Sequence, residues 1–173
     1  MKRTVIGQSI YRNGFKEKLT GTAKFTADIY PPNMLYAKIL RSPYAHAKIL
    51  AIDTTQAEKI PGVKAILTPF QAGASVLIGP DMRVLDTTVR FVGDEVMAIA
   101  AEDEESADLA IRKVKVRYSM LPFVLDVEDA LLDAAPKIHK SGNLRGATPL
   151  VLDRGDINSG FETAEKIYSE RYR

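Results

Sequence analysis

The chain has no cysteine, so it can form no disulfide, offer no thiol nucleophile and supply no thiolate to a zinc knuckle or an iron–sulfur cluster. That fits a reducing compartment, and the expected location is cytoplasmic. A long apolar run is missing too: no window approaches the roughly 20 apolar residues that a membrane-spanning helix needs. Met1-Lys2-Arg3-Thr4 gives a basic start, but no apolar stretch follows it, so no signal peptide is expected. Charge of one sign is also lacking, since 24 basic and 22 acidic residues are mixed along the chain and leave a net charge of +2. Without a basic block to neutralise phosphates, nucleic-acid binding has no support. What remains is 173 residues, 46% hydrophobic and 27% charged, enough for one folded domain plus a tail without disulfide or metal staples.

Residues 1–33 are punctuated by Gly7, Gly14, Gly21, Pro31 and Pro32, with strand character only over Ala23–Ile29. From Met34 the pattern sharpens. Leu35, Ala37 and Ile39 alternate with Tyr36 and Lys38 as in a half-buried strand, which Arg41-Ser42-Pro43 interrupts. Ala47–Ile52 reads as a second strand, and Asp53 with Gln56 has the spacing of a capping box for a short helix. Pro61-Gly62 ends that helix before a third strand, Val63–Leu67. After a loop over 69–86, Val89–Val92 reads as a strand and Gly93-Asp94 as a turn. The run Val96-Met97-Ala98-Ile99-Ala100-Ala101 has no polar member, so that strand is expected to be covered on both faces.

Asp103 opens the clearest helix. Glu104 and Glu105 stand in its first turn and Arg112 and Lys113 in its last, matching the helix dipole at both ends. Ala107, Ala110, Ile111 and Val114 form one apolar stripe, and Asp108 and Arg112 have the spacing of an ion pair on the outer face. Val114, Val116 and Tyr118 then alternate as a strand, and Asp126 caps a short helix to about Leu132. Beyond Ala134, Pro136, Gly142, Gly146, Pro149 and Gly155 recur without periodicity, as in an extended connector. Asp156 can cap a last turn, and Ile167–Tyr172 can form a terminal strand. The expected organisation is an arm over 1–14, a folded body over 15–133 and a connector over 134–173.

Catalytic chemistry is poorly served by these residues. There is no Gly-x-Ser-x-Gly elbow, and Ser42 lies four positions from His46 without a placed acid to orient the pair. The plainer reading is a turn serine and a partly buried histidine. His46 and His139 are far apart and in no zinc-ligand spacing. Asp81, Asp86 and Asp94 lack the spacing of a calcium loop, and the acids of 102–105 suit capping and solubility. Gly73, Gly79 and Gly93 form neither G-x-G-x-x-G nor a P-loop. No catalytic, cofactor-binding or metal-ligating residue is therefore assigned, and the residues alone point to a soluble α+β domain for binding or assembly.

An ordered series of short motifs carries a resemblance. Lys18-Leu19-Thr20-Gly21-Thr22-Ala23-Lys24-Phe25-Thr26-Ala27-Asp28 resembles the K-x-T-G-x-A-x-(Y/F)-x-x-D opening of the large subunit of molybdenum hydroxylases, the xanthine dehydrogenase/aldehyde oxidase family. Leu35 to Ala47, ending Arg41-Ser42-Pro43-Tyr44-Ala45-His46-Ala47, is similar to that family's L-x-A-x-x-x-R-S-P-x-A-H-A. Val89-Arg90-Phe91-Val92-Gly93-Asp94-Glu95-Val96, Ala107 with Ala110, Val116-Arg117-Tyr118, Leu121-Pro122 and Gly155-Asp156 with Phe161 follow in the family's order. The 69–86 loop is short and apolar compared with many of its members.

The resemblance implies an α+β fold, the α/β hammerhead, with a mixed sheet and a few short helices packed on it. It implies that the chain is the N-terminal part of a molybdopterin-binding large subunit, ending where the pterin-binding domains begin. The family's hydroxylation chemistry, with molybdopterin-molybdenum, 2Fe-2S clusters and often FAD on other domains or subunits, would belong to the parent enzyme. This chain would be inactive alone. Its implied partners are the molybdopterin-binding domain, an iron–sulfur subunit or domain and a flavin subunit, and the isolated chain is expected to self-associate. The candidate partner-contact residues are Arg41, Ser42, Pro43 and His46 in one turn and Phe91, Gly93 and Glu95 in another. A stand-alone hammerhead scaffold without molybdenum chemistry is the alternative.

Overall fold

The computed structural model describes residues 6–71, 73, 75–79, 82–146 and 151–172. Met1–Thr4, Asp81 and Pro149, discussed above, lie outside the described residues. The chain divides into two compact units, Met1–Leu121 and Pro122–Arg173.

The first unit holds six strands: β1 (Tyr36–Arg41), β2 (Ala47–Asp53), β3 (Val63–Leu67), β4 (Thr88–Val89), β5 (Glu95–Ala101) and β6 (Lys115–Met120). They form two three-stranded sheets, ordered β1-β5-β3 and β4-β2-β6, with every pairing antiparallel. The expected mixed sheet is thus split into two antiparallel ones. The reason lies in the connections: the 42–46 turn carries the chain from the first sheet to the second. Helix α2 (Glu104–Lys113) does the same between β5 and β6, so no crossover returns a parallel strand to its own sheet.

Helix α2 begins where expected. Asp103 is its cap, its carboxylate accepting the Ser106 amide at 2.7 Å and the Ser106 hydroxyl at 2.8 Å. Those bonds hold the Asp103 carboxyl below its ordinary value. Ala107 and Ala110 are fully buried against the β1-β5-β3 sheet, with Ile111 and Val114 packed beside them. Asp108 faces Lys38 of β1 at 3.5 Å, and Glu104 also pairs with that lysine. The Glu104 hydrogen bond, opposed by desolvation, raises the Lys38 pKa. Asp108 is thus engaged across the sheet by Lys38.

The core lies where the helix side of the first sheet meets the second sheet. It contains Met97 and Ile99 of β5, Val96, Ala47 and Ile49 of β2, Val89, Ala57 and Ala110. Val96 joins it through a β-bulge: Leu40 pairs with Met97 but Arg41 with Glu95, so Val96 is the extra residue and is buried beside Met97.

Several local expectations are corrected. On β1 the inner residues are Tyr36, Lys38 and Leu40, whereas Leu35 and Ile39 are 45% and 43% exposed, so the apolar alternation marks the outer face. Lys38 can face inward because its stem lies over the sheet while its ammonium reaches the acids of α2. Residues 54–60 form turns instead of a helix: Asp53 accepts the Thr55 amide, at 3.0 Å, in place of an amide further along, and Pro61 stops any extension. Ala23–Ile29 holds a 3-10 turn over Thr26–Asp28 instead of a strand. A short helix that the pattern did not suggest, α1 (Phe15–Leu19), precedes it.

In the second unit Asp126 caps a turn, accepting the amides of Glu128 at 2.8 Å and Asp129 at 3.1 Å, before the 3-10 helix Asp129–Leu131. Asp156 caps α3 (Ile157–Glu162) through the amides of Asn158 and Ser159. Asn143 ties the segment together, its amide donating to the carbonyls of Ala130 and Pro136 and its oxygen accepting the Ile138 amide. Ile167–Tyr172 is not a strand, having no partner strand among the described residues.

Candidate functional site

The Arg41–His46 turn and the Phe91–Glu95 turn stand side by side because β1 and β5 pair through Arg41 and Glu95. Their backbones interlock. The Ser42 amide donates to the Asp94 carbonyl at 2.8 Å, and the Gly93 amide donates to the Ser42 carbonyl at 2.8 Å. Arg41 donates to the Gly93 carbonyl at 2.8 Å and pairs with Glu95 at 3.2 Å. Gly93 has φ +98°, a left-handed conformation that a side chain would strain. Arg41, Ser42, Gly93 and Glu95 are thereby one hydrogen-bonded block.

Pro43 lies exposed on the block, and Phe91, with Val92 beside it, projects outward 55% exposed. His46 is buried, 8% exposed, and its carbonyl accepts the Leu121 amide at 3.0 Å. Tyr44 packs edge-on to Tyr118 with ring centres 5.0 Å apart.

Two residues that the sequence reading did not select hold the second turn. Asp94 accepts the Arg90 amide at 2.8 Å and the Glu95 amide at 3.0 Å. Half-burial nevertheless raises its carboxyl pKa against the lowering effect of those amides. Arg90 pairs with Asp86 at 2.9 Å. The signal available was the Gly-Asp pair closing the turn, since a short acid there can accept the amides around it.

The arrangement is not that of a hydrolase. The Ser42 hydroxyl is 3% exposed and directs both its bonds to Tyr44, donating to its carbonyl and accepting its amide, each at 3.0 Å. An open depression of about 500 Å³ lies elsewhere, between Ile52, Thr54, Glu58, Lys64, Phe70 and Gln71. Its polar groups are mutually engaged, Thr54 with Glu58 at 2.6 Å and Gln71 with Thr68 at 2.7 Å, so it presents few groups to a ligand. Among the described residues no three metal-ligating side chains gather, and of their buried side-chain polar atoms only the Arg90 Nε lacks a hydrogen-bond partner, which is too little to hold a molybdenum-pterin group. What the two-turn block offers is a rigid knob with an apolar tip.

Residues 20–122 match the family described as aldehyde oxidase and xanthine dehydrogenase, a/b hammerhead domain. The chain belongs to that family. It is 37% identical over 170 residues to the xanthine dehydrogenase molybdenum-binding subunit of Escherichia coli O157:H7, covering 90% of this chain and 22% of that protein. It is 30% identical over 172 residues to the nicotinate dehydrogenase large molybdopterin subunit of Eubacterium barkeri, covering 97% and 40%. Among solved structures, quinoline 2-oxidoreductase from Pseudomonas putida 86 superposes with a TM-score of 0.66 at 30% identity, over 79% of this chain and 19% of that one. The chain thus spans about a fifth to two fifths of the length of these relatives. The class is an α+β hammerhead domain of molybdenum hydroxylase large subunits. No helix among the described residues is long and apolar enough to cross a membrane.

Proposed function

We propose that this chain is an N-terminal assembly domain of a molybdenum hydroxylase large subunit, inactive by itself. In this reading residues 15–133 are the hammerhead body, 1–14 an arm and 134–173 the connector toward the molybdopterin-binding part. The parent enzyme carries molybdopterin-molybdenum there, with 2Fe-2S clusters and FAD on partner domains or subunits, and works in the cytoplasm. Of the expected contact residues, Arg41, Pro43, Phe91, Gly93 and Glu95 form the surface for those partners, with Phe91 as its anchor, while Ser42 and His46, 3% and 8% exposed, support it from within.

The observation that carries this reading is the distribution of exposed large apolar side chains. Phe15, Leu19, Phe25 and Ile29 of the N-terminal segment and Phe123, Leu125, Leu131 and Leu132 of the second unit are all 44% or more exposed. Neither α1 nor the helices of the second unit bury any residue. A free-standing monomer rarely carries so much apolar surface, whereas segments that wrap a larger protein must.

The test is to produce the remaining part of the subunit with and without residues 1–173 and to measure bound molybdenum and oligomeric state. The expected result is that the remainder is poorly soluble and metal-poor alone and recovers both when joined by this chain. A remainder that is soluble, metal-loaded and active without it would favour a stand-alone scaffold instead.

A further inference from the structure

Strand β5 is apolar on both sides, yet only one side is covered. Met97, Ile99 and Ala101 face α2 and the second sheet. On the opposite side Ala98 pairs with Ile39 of β1 and Leu67 of β3, and Ala100 pairs with Ala37 and Ala65. Together with Leu35 these residues make an outer sheet face without a polar side chain at its centre. Ile39, Leu67 and Leu35 on it are 43%, 43% and 45% exposed. Each end is closed by an ion pair internal to the chain, Arg41–Glu95 at 3.2 Å and Lys64–Glu102 at 2.7 Å. The charges at the rim are therefore already matched, and an ionic ligand gains little here.

We infer that this outer face of the β1-β5-β3 sheet seats one amphipathic α-helix from the rest of the parent subunit, with large aliphatic or aromatic side chains toward the alanines. This deepens the assembly reading and rests on it. Three features select that occupant. The first is width: three strands spaced about 4.8 Å apart span about 10 Å, the diameter of one helix.

The second is relief. On the covered side the helix supplies the small residues, Ala107 and Ala110, and the sheet the large ones, Leu40, Met97 and Ile99. On the outer side the sheet supplies the small ones, so close packing requires the incoming helix to supply bulk. The third is area. The strip from Leu35 to Ile39 is about 13 Å long and about 10 Å wide, far below the roughly 800 Å² per partner of a stable dimer. A second copy would gain too little from it. A segment of the same subunit, held nearby by other contacts, loses less freedom on docking.

Because residues 1–173 contain no cysteine, each introduced thiol is unique within them. In the complete subunit, Ile39→Cys, Leu67→Cys, Phe91→Cys and the exposed control Lys48→Cys are alkylated natively and after unfolding in urea, and the peptides are quantified by mass spectrometry. Ile39→Cys and Leu67→Cys are expected to react at least about tenfold more slowly in the native subunit than Lys48→Cys. A benzophenone maleimide placed on either should cross-link to residues outside 1–173, spaced three or four apart. If both thiols react as fast as the control while Phe91→Cys is protected, the helix seat falls and the assembly reading stands. If Phe91→Cys is unprotected as well, both fall. Cross-links at alternate residues, or into residues 1–173 of another copy, would overturn the choice of occupant.

Discussion

Truncating Ile99 and truncating Ile39 remove the same atoms from adjoining strands but from opposite sides of one sheet. Ile99 is 1% exposed and lies in the core with Met97 and Ala110; Ile39 is 43% exposed on the uncovered face. Ile99→Ala removes a buried side chain and leaves a cavity bounded by rigid strands, at a cost of about 3 kcal/mol. Ile39→Ala leaves no cavity and costs about 1 kcal/mol or less. In a unit of this size the first loss lowers Tm by about 10 °C and the second by about 3 °C. Urea titration followed by circular dichroism measures both, provided the m-values agree with that of the wild type. Equal losses, or a larger loss at Ile39, would refute the assignment of faces, or would show that the outer face is covered by a second copy in the isolated chain.

Two further outcomes follow from the turns. Gly62 has φ +88°, and a Cβ there would stand 3.1 Å from the Ser106 hydroxyl, whereas Gly93 at φ +98° faces open space. Both substitutions to alanine should destabilise by about 1–2 kcal/mol through backbone strain, with Gly62→Ala the worse in parallel thermal melts. Asp94, its pKa raised above 3.8 mainly by burial, favours the protonated form when folded. Its contribution is therefore fully present at pH below the unfolded value and declines as pH rises through the folded value. Asp94→Asn lacks this dependence, so its Tm relative to wild type should improve from about pH 3 to about pH 7, and an unchanged difference would refute the burial argument.

Signals confined to one stretch of chain were readable in advance. The caps at Asp103 and Asp156 and the strands Val63–Leu67 and Glu95–Ala101 follow from a residue's own backbone bonding or from a short, largely apolar run. Signals that depend on distant partners were not. Val89–Val92 has strand composition, yet the ladder ends at Val89 because the Arg90 amide is taken by Asp94. The period of two in β1 was correct, but which side faces inward depends on where α2 lands and on Lys38 finding Glu104 and Asp108. An apolar alternation identifies an apolar face, not the segment that packs against it. As for the candidate block, its two turns were separately visible as motifs, while their contact follows from the β1–β5 register and the Asp94 bonds have only the weak Gly-Asp signal.

The order of the strands also sets a schedule for synthesis. Arg41 pairs with Glu95 and Ala47 with Met120, so β1 meets its partner 54 positions later and β2 one of its partners 73 positions later. Neither sheet contains a tight hairpin, and β5 is the shared neighbour of both β1 and β3. Until β5 leaves the ribosome the emerging chain carries two open-edged strands of the first sheet with nothing between them. Closure over such long loops is entropically slow, which makes this the stage at which the nascent polypeptide is most exposed to misassociation and most dependent on protection by chaperones.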